Sequence, residues 1–491
     1  MRRIFLFAAW IGIALAADPI VKHPRELHFP PSEFIAPKAA DYRHKLSNGA
    51  TAFLVEDHEF PLIDISIMIH TGGYLEPAGM TGLAQLTGSQ MRAGGTKSKT
   101  PETFDEDAAF LAAQIGSSVS DVSGEASLNC LSKDIDAGLA LFVDMLRNPG
   151  FDESRLKLAK SQMLQAIGRR NDSTTSIEGR EFQRLIRGDK HFTTRPVTKA
   201  SLEAFSRQDL IGFHDRYYYP ANFVLAVSGD FDTKQMLAKL EKALAAWPNR
   251  DTAIPDPPRS EFTPKPGVYV VNKKDVNQGR VQMGHLGVAL SNPDHLALSV
   301  MNGILGGDGF TSHIMERVRS EEGLAYTARS SFGAGTYYEG IFFAGFQSKN
   351  ASVAQATAIV IEEIKRAQDT KPSVDELATA VNRVVESFPL RFSSAGRKAN
   401  QFAYDYYTRL PEDYWEKYRQ RLNAVTPEEV QRVARKYLHP DGLVILAVGD
   451  AEAMLRGNPD RPQYSIAKLA GDRGVVRIPL PDPLTMVYPV E

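Results

Sequence analysis

The sequence predicts an α+β chain made of two homologous domains joined by a proline-rich linker. Three observations predict it: an internal repeat at constant offset, a helix-turn-strand signature closing each copy, and a run of prolines between the copies.

The repeat aligns Ser201 to Asp230 with Arg421 to Asp450, without a gap, at an offset of 220 residues. Leu202 falls on Leu422, Tyr217 on Tyr437, Pro220 on Pro440, Val224 on Val444, Gly229 on Gly449 and Asp230 on Asp450. In each copy Ser206 or Thr426 reads as an N-cap, because its hydroxyl can accept from the first free amides of a helix. The helix runs to Tyr217 or Tyr437, and proline stops it. Phe223 to Val227 and Leu443 to Val448 are short apolar runs closed by Gly-Asp, which predicts a buried strand and a turn.

Each copy also opens on a pair of strands. In the first these are Thr51 to Val55 and the alternating Ile63, Ile65, Ile67 and Ile69; in the second, Gly267 to Asn272 and Arg280 to Val288. Pro248 to Gly267 holds six prolines and few apolar residues. The predicted organisation is therefore a first domain over 40–250, a linker over 251–266, a second domain over 267–455, and an extended surface tail over 456–491.

The amino terminus reads as an export signal. Arg2 and Arg3 precede an apolar run from Ile4 to Leu15, then Ala16 and Ala17 before Asp18, which predicts a signal peptide over 1–17 cut after Ala16 or Ala17. An apolar run of about a dozen residues falls short of the roughly twenty needed to span a bilayer. The expectation is a periplasmic or extracellular chain with no membrane anchor after cleavage. Cys130 is the single cysteine, so no internal disulfide forms and stability rests on burial. The net charge of −2 gives no basic surface field for nucleic acid, and 43% hydrophobic residues describe a globular chain.

The chemistry sits in two further stretches. Gly72-Gly73-Tyr74-Leu75-Glu76 leads into Gly82-Leu83-Ala84-Gln85-Leu86-Thr87-Gly88-Ser89, then Gly94-Gly95-Thr96. This resembles the active-site entry of the M16 (insulinase or pitrilysin-like, M16B) peptidases, in which a glycine-rich turn opens a helix bearing H-x-x-E-H. The resemblance implies LuxS/metallopeptidase-like α/β-sandwich domains. In that motif two His one turn apart bind zinc and the Glu activates a water. Here the three positions read Gln85, Gly88 and Ser89. The family's third ligand, a Glu about 76 residues beyond the second His, corresponds to Gln165. Amide and hydroxyl side chains are poor zinc ligands, and neither Gly nor Ser is a general base near neutral pH. The chain is expected to hold no metal and, alone, to hydrolyse nothing.

The remaining histidines offer no substitute. His313-Ile314-Met315-Glu316-Arg317 imitates the motif but puts a cation where the second ligand belongs, and His313 reads as an exposed helix residue. His58, His70, His191 and His214 lack ligand spacing.

A second signature is intact. Leu305-Gly306-Gly307-Asp308-Gly309-Phe310 reads as a tight turn before a helix, followed by Arg319-Ser320-Glu321-Glu322-Gly323-Leu324-Ala325-Tyr326. It is similar to the C-terminal half of M16 members, whose Arg and Tyr, seven residues apart, face the zinc across the substrate channel. Arg319 and Tyr326 match that pair, and the resemblance gives them the roles of peptide-carbonyl donor and oxyanion donor. The plainer reading pairs Arg319 with Glu321 or Glu322 and puts Tyr326 in the core.

Some bacterial M16 peptidases are heterodimers in which one subunit brings H-x-x-E-H and the other the Arg and Tyr. The resemblance thus implies a non-catalytic subunit that supplies Arg319 and Tyr326 to the zinc of a partner, acting on peptides or unfolded polypeptides. The alternative is a non-enzymatic scaffold or peptide-binding protein on the same fold.

Overall fold

A computed structural model of the protein describes residues 23, 34–248, 250 and 253–489; the predicted signal peptide lies outside them. The chain divides into a short unit, Met1–Ala36, and a large one, Pro37–Glu491, which holds every element below.

Two six-stranded sheets carry the architecture. The first contains β1 (Arg43–Lys45), β2 (Thr51–Glu56), β3 (Leu62–Ile69), β4 (Gln114–Val119), β5 (Gly124–Leu131) and β6 (Phe223–Gly229), in the order β1-β2-β6-β3-β5-β4. The second contains β7 (Gly267–Asn272), β8 (Gln278–Leu286), β10 (Ala325–Phe332), β12 (Ile341–Lys349), β13 (Val444–Gly449) and β14 (Val475–Ile478). Its order is β14-β7-β13-β8-β12-β10, and a small parallel pair, β9 (Val288–Ala289) and β11 (Ala334–Gly335), lies beside it.

The two orders superimpose position by position. In both, the last strand of the repeat enters the middle of the sheet, parallel to the first strand and antiparallel to the second. The alternation over Ile63, Ile65, Ile67 and Ile69 is what buries one face of β3, where all four side chains are at most 2% exposed.

The sixth strand comes from different places. β1 lies just ahead of the pair of strands that opens the first copy, whereas β14 lies in the segment expected to be an extended tail. That expectation is corrected here: Ile466–Ala470 is helical and Val475–Ile478 pairs in parallel with β7. The run is too short to show a period, and its strand state follows from the free edge that β7 offers. Beyond it, residues 479–489 are irregular, with a turn over 483–485 closed by hydrogen bonds between Asp482 and Met486 and Val487, and they reach the first half. The carbonyl of Leu484 accepts from the Lys199 amide, and that of Pro481 from the Asn171 side chain.

Each copy also lends a helix to the other. Thr174–Arg187 packs on β8 and β13, and Ala395–Tyr407 packs on β2, β3 and β6. Phe182 and Phe402, again 220 residues apart, are the buried anchors of these helices, each 1% exposed. Phe182 joins Ile177 and Ile186 against Val444, Leu446 and Val448. Burying such a ring stabilises by roughly 2–3 kcal/mol, so the exchange welds the two copies. The linker runs alongside, tied by Tyr74 to the Pro255 carbonyl and by Arg409 to Asp256.

Among the described residues no helix is long and apolar enough to cross a membrane.

Candidate functional site

The helix Leu83–Ala93 lies along β4 at the edge of the first sheet and packs on the helix Glu153–Gly168. Glu76 secures its start: its carboxylate accepts from the amides of Gly82 (3.0 Å) and Ala84 (2.8 Å), a service that Gly82 as N-cap residue cannot provide. Burial pushes the Glu76 carboxyl up to about 7, against the pull of those two amides.

Gln85 and Ser89 are exposed on this helix and Gln165 is exposed on its neighbour. The Ser89 hydroxyl donates to the Leu86 carbonyl of its own helix. Gly88 is buried, and a Cβ there would stand 2.6 Å from the carbonyl carbon of Ser118 and closer still to the Val119 amide. The helix therefore rests backbone to backbone on β4, and position 88 has no room for a carboxylate. The second copy repeats the arrangement: a Cβ on Gly306 would stand 2.7 Å from the Ser330 amide in β10. The donor set does not fit zinc, since one position has no side chain and the others offer amides and a hydroxyl. Among the described residues no group of three or more His, Cys, Asp or Glu is placed to hold a metal ion.

Arg319 and Tyr326 are brought together. The guanidinium carbon of Arg319 sits 4.6 Å from the centre of the Tyr326 ring and 4.5 Å from that of Phe310. Both rings are largely exposed, Tyr326 at 81% and Phe310 at 66%. This removes the core reading of Tyr326. It also removes the ion-pair reading of Arg319, because Glu321 pairs with Arg317 and Glu322 accepts from Gln355. Two aromatic faces hold the guanidinium in place by cation–π attraction and leave its N–H edge available.

The segment that carries the pair is less regular than a tight turn and a plain helix. Gly303–Gly307 and Glu316–Glu321 are π-helical, with a short α-helical piece, His313–Met315, between them. Wide turns of this kind gather at functional sites. Phe310 belongs to the site although sequence reasoning passed over it; its place in a glycine-rich turn of an otherwise polar loop was the available signal. No hydrogen bond, ion pair or ring contact among the described residues joins Arg319 or Tyr326 to Gln85, Ser89 or Gln165.

The histidines are structural. His313 is not exposed: its ring is 12% exposed and bonds Glu376 at 2.5 Å, with Glu363 at 3.9 Å. His214 is buried and bonds the Leu146 carbonyl, His58 pairs with Asp230, and His70 stacks on Tyr407 at 4.1 Å. His191 bonds the Thr193 hydroxyl.

Residues 204–384 match the family model described as the peptidase M16 inactive domain, a span that runs from the end of the first copy across the linker into the second. The chain is 22% identical over 367 residues to an uncharacterized zinc protease of Rickettsia bellii (strain RML369-C), covering 74% of this chain and 86% of that one. It is 24% identical over 428 residues to a protein of Helicobacter pylori (strain ATCC 700392 / 26695) named non-peptidase homolog YmxG, covering 85% and 96%. Among solved structures, a peptidase M16 inactive domain from Pseudomonas fluorescens superimposes with a TM-score of 0.74 at 23% identity, covering 83% of this chain and 97% of that one. Residues 204–384 thus carry a peptidase M16 inactive domain, and the chain as a whole, with its two superimposable sheets and exchanged helices, has the fold of the M16 inactive-domain structure it resembles.

Proposed function

We propose that this chain is the non-catalytic subunit of a heterodimeric M16 zinc metallopeptidase, exported to the periplasm. Its partner brings H-x-x-E-H and the zinc, and this chain brings Arg319 and Tyr326. The observation that supports the reading is the exposed stack of Phe310, Arg319 and Tyr326. An unpaired guanidinium fixed between two exposed rings costs surface solubility and does nothing for the core, whereas it offers donors to a peptide carbonyl. The Tyr326 hydroxyl would donate to the oxyanion that forms as the carbonyl is attacked. Substrates on this reading are peptides or unfolded polypeptides.

Capture of the tagged chain from its native cell, followed by identification of what comes with it, tests the partnership. A second M16 chain with intact H-x-x-E-H is the expected companion. Recovery of the chain alone, or as a homo-oligomer, would favour a scaffold or peptide-binding role on the same fold and remove the heterodimer.

A further inference from the structure

A cavity of about 550 Å³ opens directly beside Tyr326, over the face of the second sheet that the lent helix Thr174–Arg187 leaves uncovered. Its floor is set by strand register. Arg329 of β10, Gly345 of β12 and Gln282 of β8 lie in one row across three strands. Gly345 carries no side chain, so the row is a depression with a cation on one bank and an amide on the other. The next row on the same face places Gln347 opposite Arg280, and the next Lys349 opposite Gln278.

The charges are unequal. Three cations, Arg280, Arg329 and Lys349, meet one carboxylate, Glu178. That carboxylate is buried and engaged: the Arg280 Nε donates to it at 2.9 Å, while the other arm of Arg280 donates to Gln347 at 3.1 Å. Gln347 in turn donates to Gln278 at 2.9 Å. This ladder fixes Arg280, and the one negative charge is shared between its direct pair with Arg280 and a longer-range attraction to Arg329. Arg329 and Lys349 are exposed, and among the described residues no carboxylate stands within ion-pair distance of either. Arg329 has the Phe343 ring 5.7 Å away.

We infer that this cavity is a subsite for a carboxylate of the peptide, with Arg329 and Lys349 as its specificity-determining residues. The inference rests on the proposed function, which puts peptide alongside Tyr326. A volume of this size accommodates several residues. An acidic group would meet two cations that lack a direct carboxylate partner and the Gln282 amide, a neutral one would leave them unmatched, and a basic one would be repelled. The carboxylate could belong to an Asp or Glu side chain or to the peptide's own C-terminus.

Titration calorimetry on the full isolated chain separates these cases. The probes are an acetylated, amidated octapeptide of Gly, Ser and Leu with one central Glu, its Gln counterpart, and the Gln peptide with a free C-terminal carboxylate. The Glu peptide or the free-carboxylate peptide is expected to bind about tenfold tighter than the amidated Gln peptide, and whichever does identifies the source. The doubly substituted Arg329→Gln, Lys349→Gln chain should lose that preference at unchanged melting temperature, because both side chains are exposed. Equal binding of all three peptides, or a preference that survives the double substitution, would overturn the subsite. The binding measurement needs neither partner nor turnover, so it stands apart from the catalytic reading: a preference that persists in Arg319→Ala keeps the subsite, and a separate cleavage assay of the reconstituted pair that shows no effect of Arg319→Ala would discard the borrowed donors without touching it.

Discussion

Gly88 meets Ser118 backbone to backbone, with no space between them for a side chain. The position that the sequence resemblance aligns with the general base of M16 peptidases is therefore closed by the way the helix sits on β4, not only by the choice of residue. Gly88→Glu is expected to destabilise the chain by about 3 kcal/mol or more, since the helix must lift off the strand. Gln85→His and Ser89→His, at exposed positions of the same helix, should shift stability by less than about 0.5 kcal/mol. Urea denaturation of the single variants checks this, and a Gly88→Glu chain as stable as the parent would show that the helix has slack.

The isolated wild-type chain, dialysed against micromolar zinc and then metal-free buffer, is expected to retain no stoichiometric zinc by elemental analysis. The donor chemistry at Gln85, Ser89 and Gln165 is the reason. One tightly held ion per chain would contradict it.

The C-terminal segment should matter to stability well beyond its size. Glu181 is wholly buried, pairs with Arg180 at 2.9 Å and Arg184 at 3.0 Å, and accepts from the Tyr488 hydroxyl with both oxygens. Removing the carboxylate takes the buried partner from two guanidinium groups and leaves them only Asp189, the Arg170 carbonyl and the Tyr488 ring, so Glu181→Ala is expected to cost about 3 kcal/mol. Tyr488→Phe should cost about 1 kcal/mol. The double variant should fall short of the sum, because the hydroxyl has nothing to lose once the carboxylate is gone. Strict additivity in a denaturation cycle would show that the tail does not rely on this contact.

Much of the fold was legible in the sequence because both copies repeat the same local signals. Ser206 and Thr426 cap their helices, and Val224 and Val444 enter strands at matching places, so one copy corroborates the other. The exchange of the helices Thr174–Arg187 and Ala395–Tyr407 was not legible. An apolar stripe on a helix states that a face is buried but not against which sheet. Strand β14 was missed for a related reason: four residues carry no period, and their partner lies about two hundred positions away. At the site, Arg319 and Tyr326 stood in a readable motif. Phe310, Arg329, Gly345 and Lys349 did not, since only strand register and the π-helical turn bring them to one place. His313 was misread because its partner Glu376 sits on a different helix.

Acid should destabilise the protein in a defined window. His285 is buried, and both ring nitrogens are committed: Nδ1–H donates to the Leu286 carbonyl at 2.7 Å, and Nε2 accepts from the His439 amide at 3.3 Å. Burial first, and the nearby His439 in addition, depress its pKa to about 4. The folded state thus binds this proton less tightly than the unfolded chain, whose His titrates near 6.5. Stability from His285 is complete above about 6.5 and is lost as pH falls toward 4, with a slope of up to roughly 1.4 kcal/mol per pH unit. His70, half-buried and stacked on Tyr407 and likewise lowered to about 4, acts in the same direction. Denaturation midpoints from pH 7.5 to 4.5 should show a shallower fall in His285→Phe than in the wild type. Parallel curves would mean that this ring does not govern the acid limb.

Turnover of an unstructured peptide by a reconstituted pair, this chain and an H-x-x-E-H-bearing M16 subunit from the same cell, tests whether Arg319 serves a partner's zinc. With wild-type chain, cleavage is expected to exceed that of either subunit alone, and Arg319→Ala is expected to reduce it by about a hundredfold at unchanged pairing and zinc content. Equal turnover by the wild-type and Arg319→Ala pairs would contradict the claim that the active centre borrows this arginine.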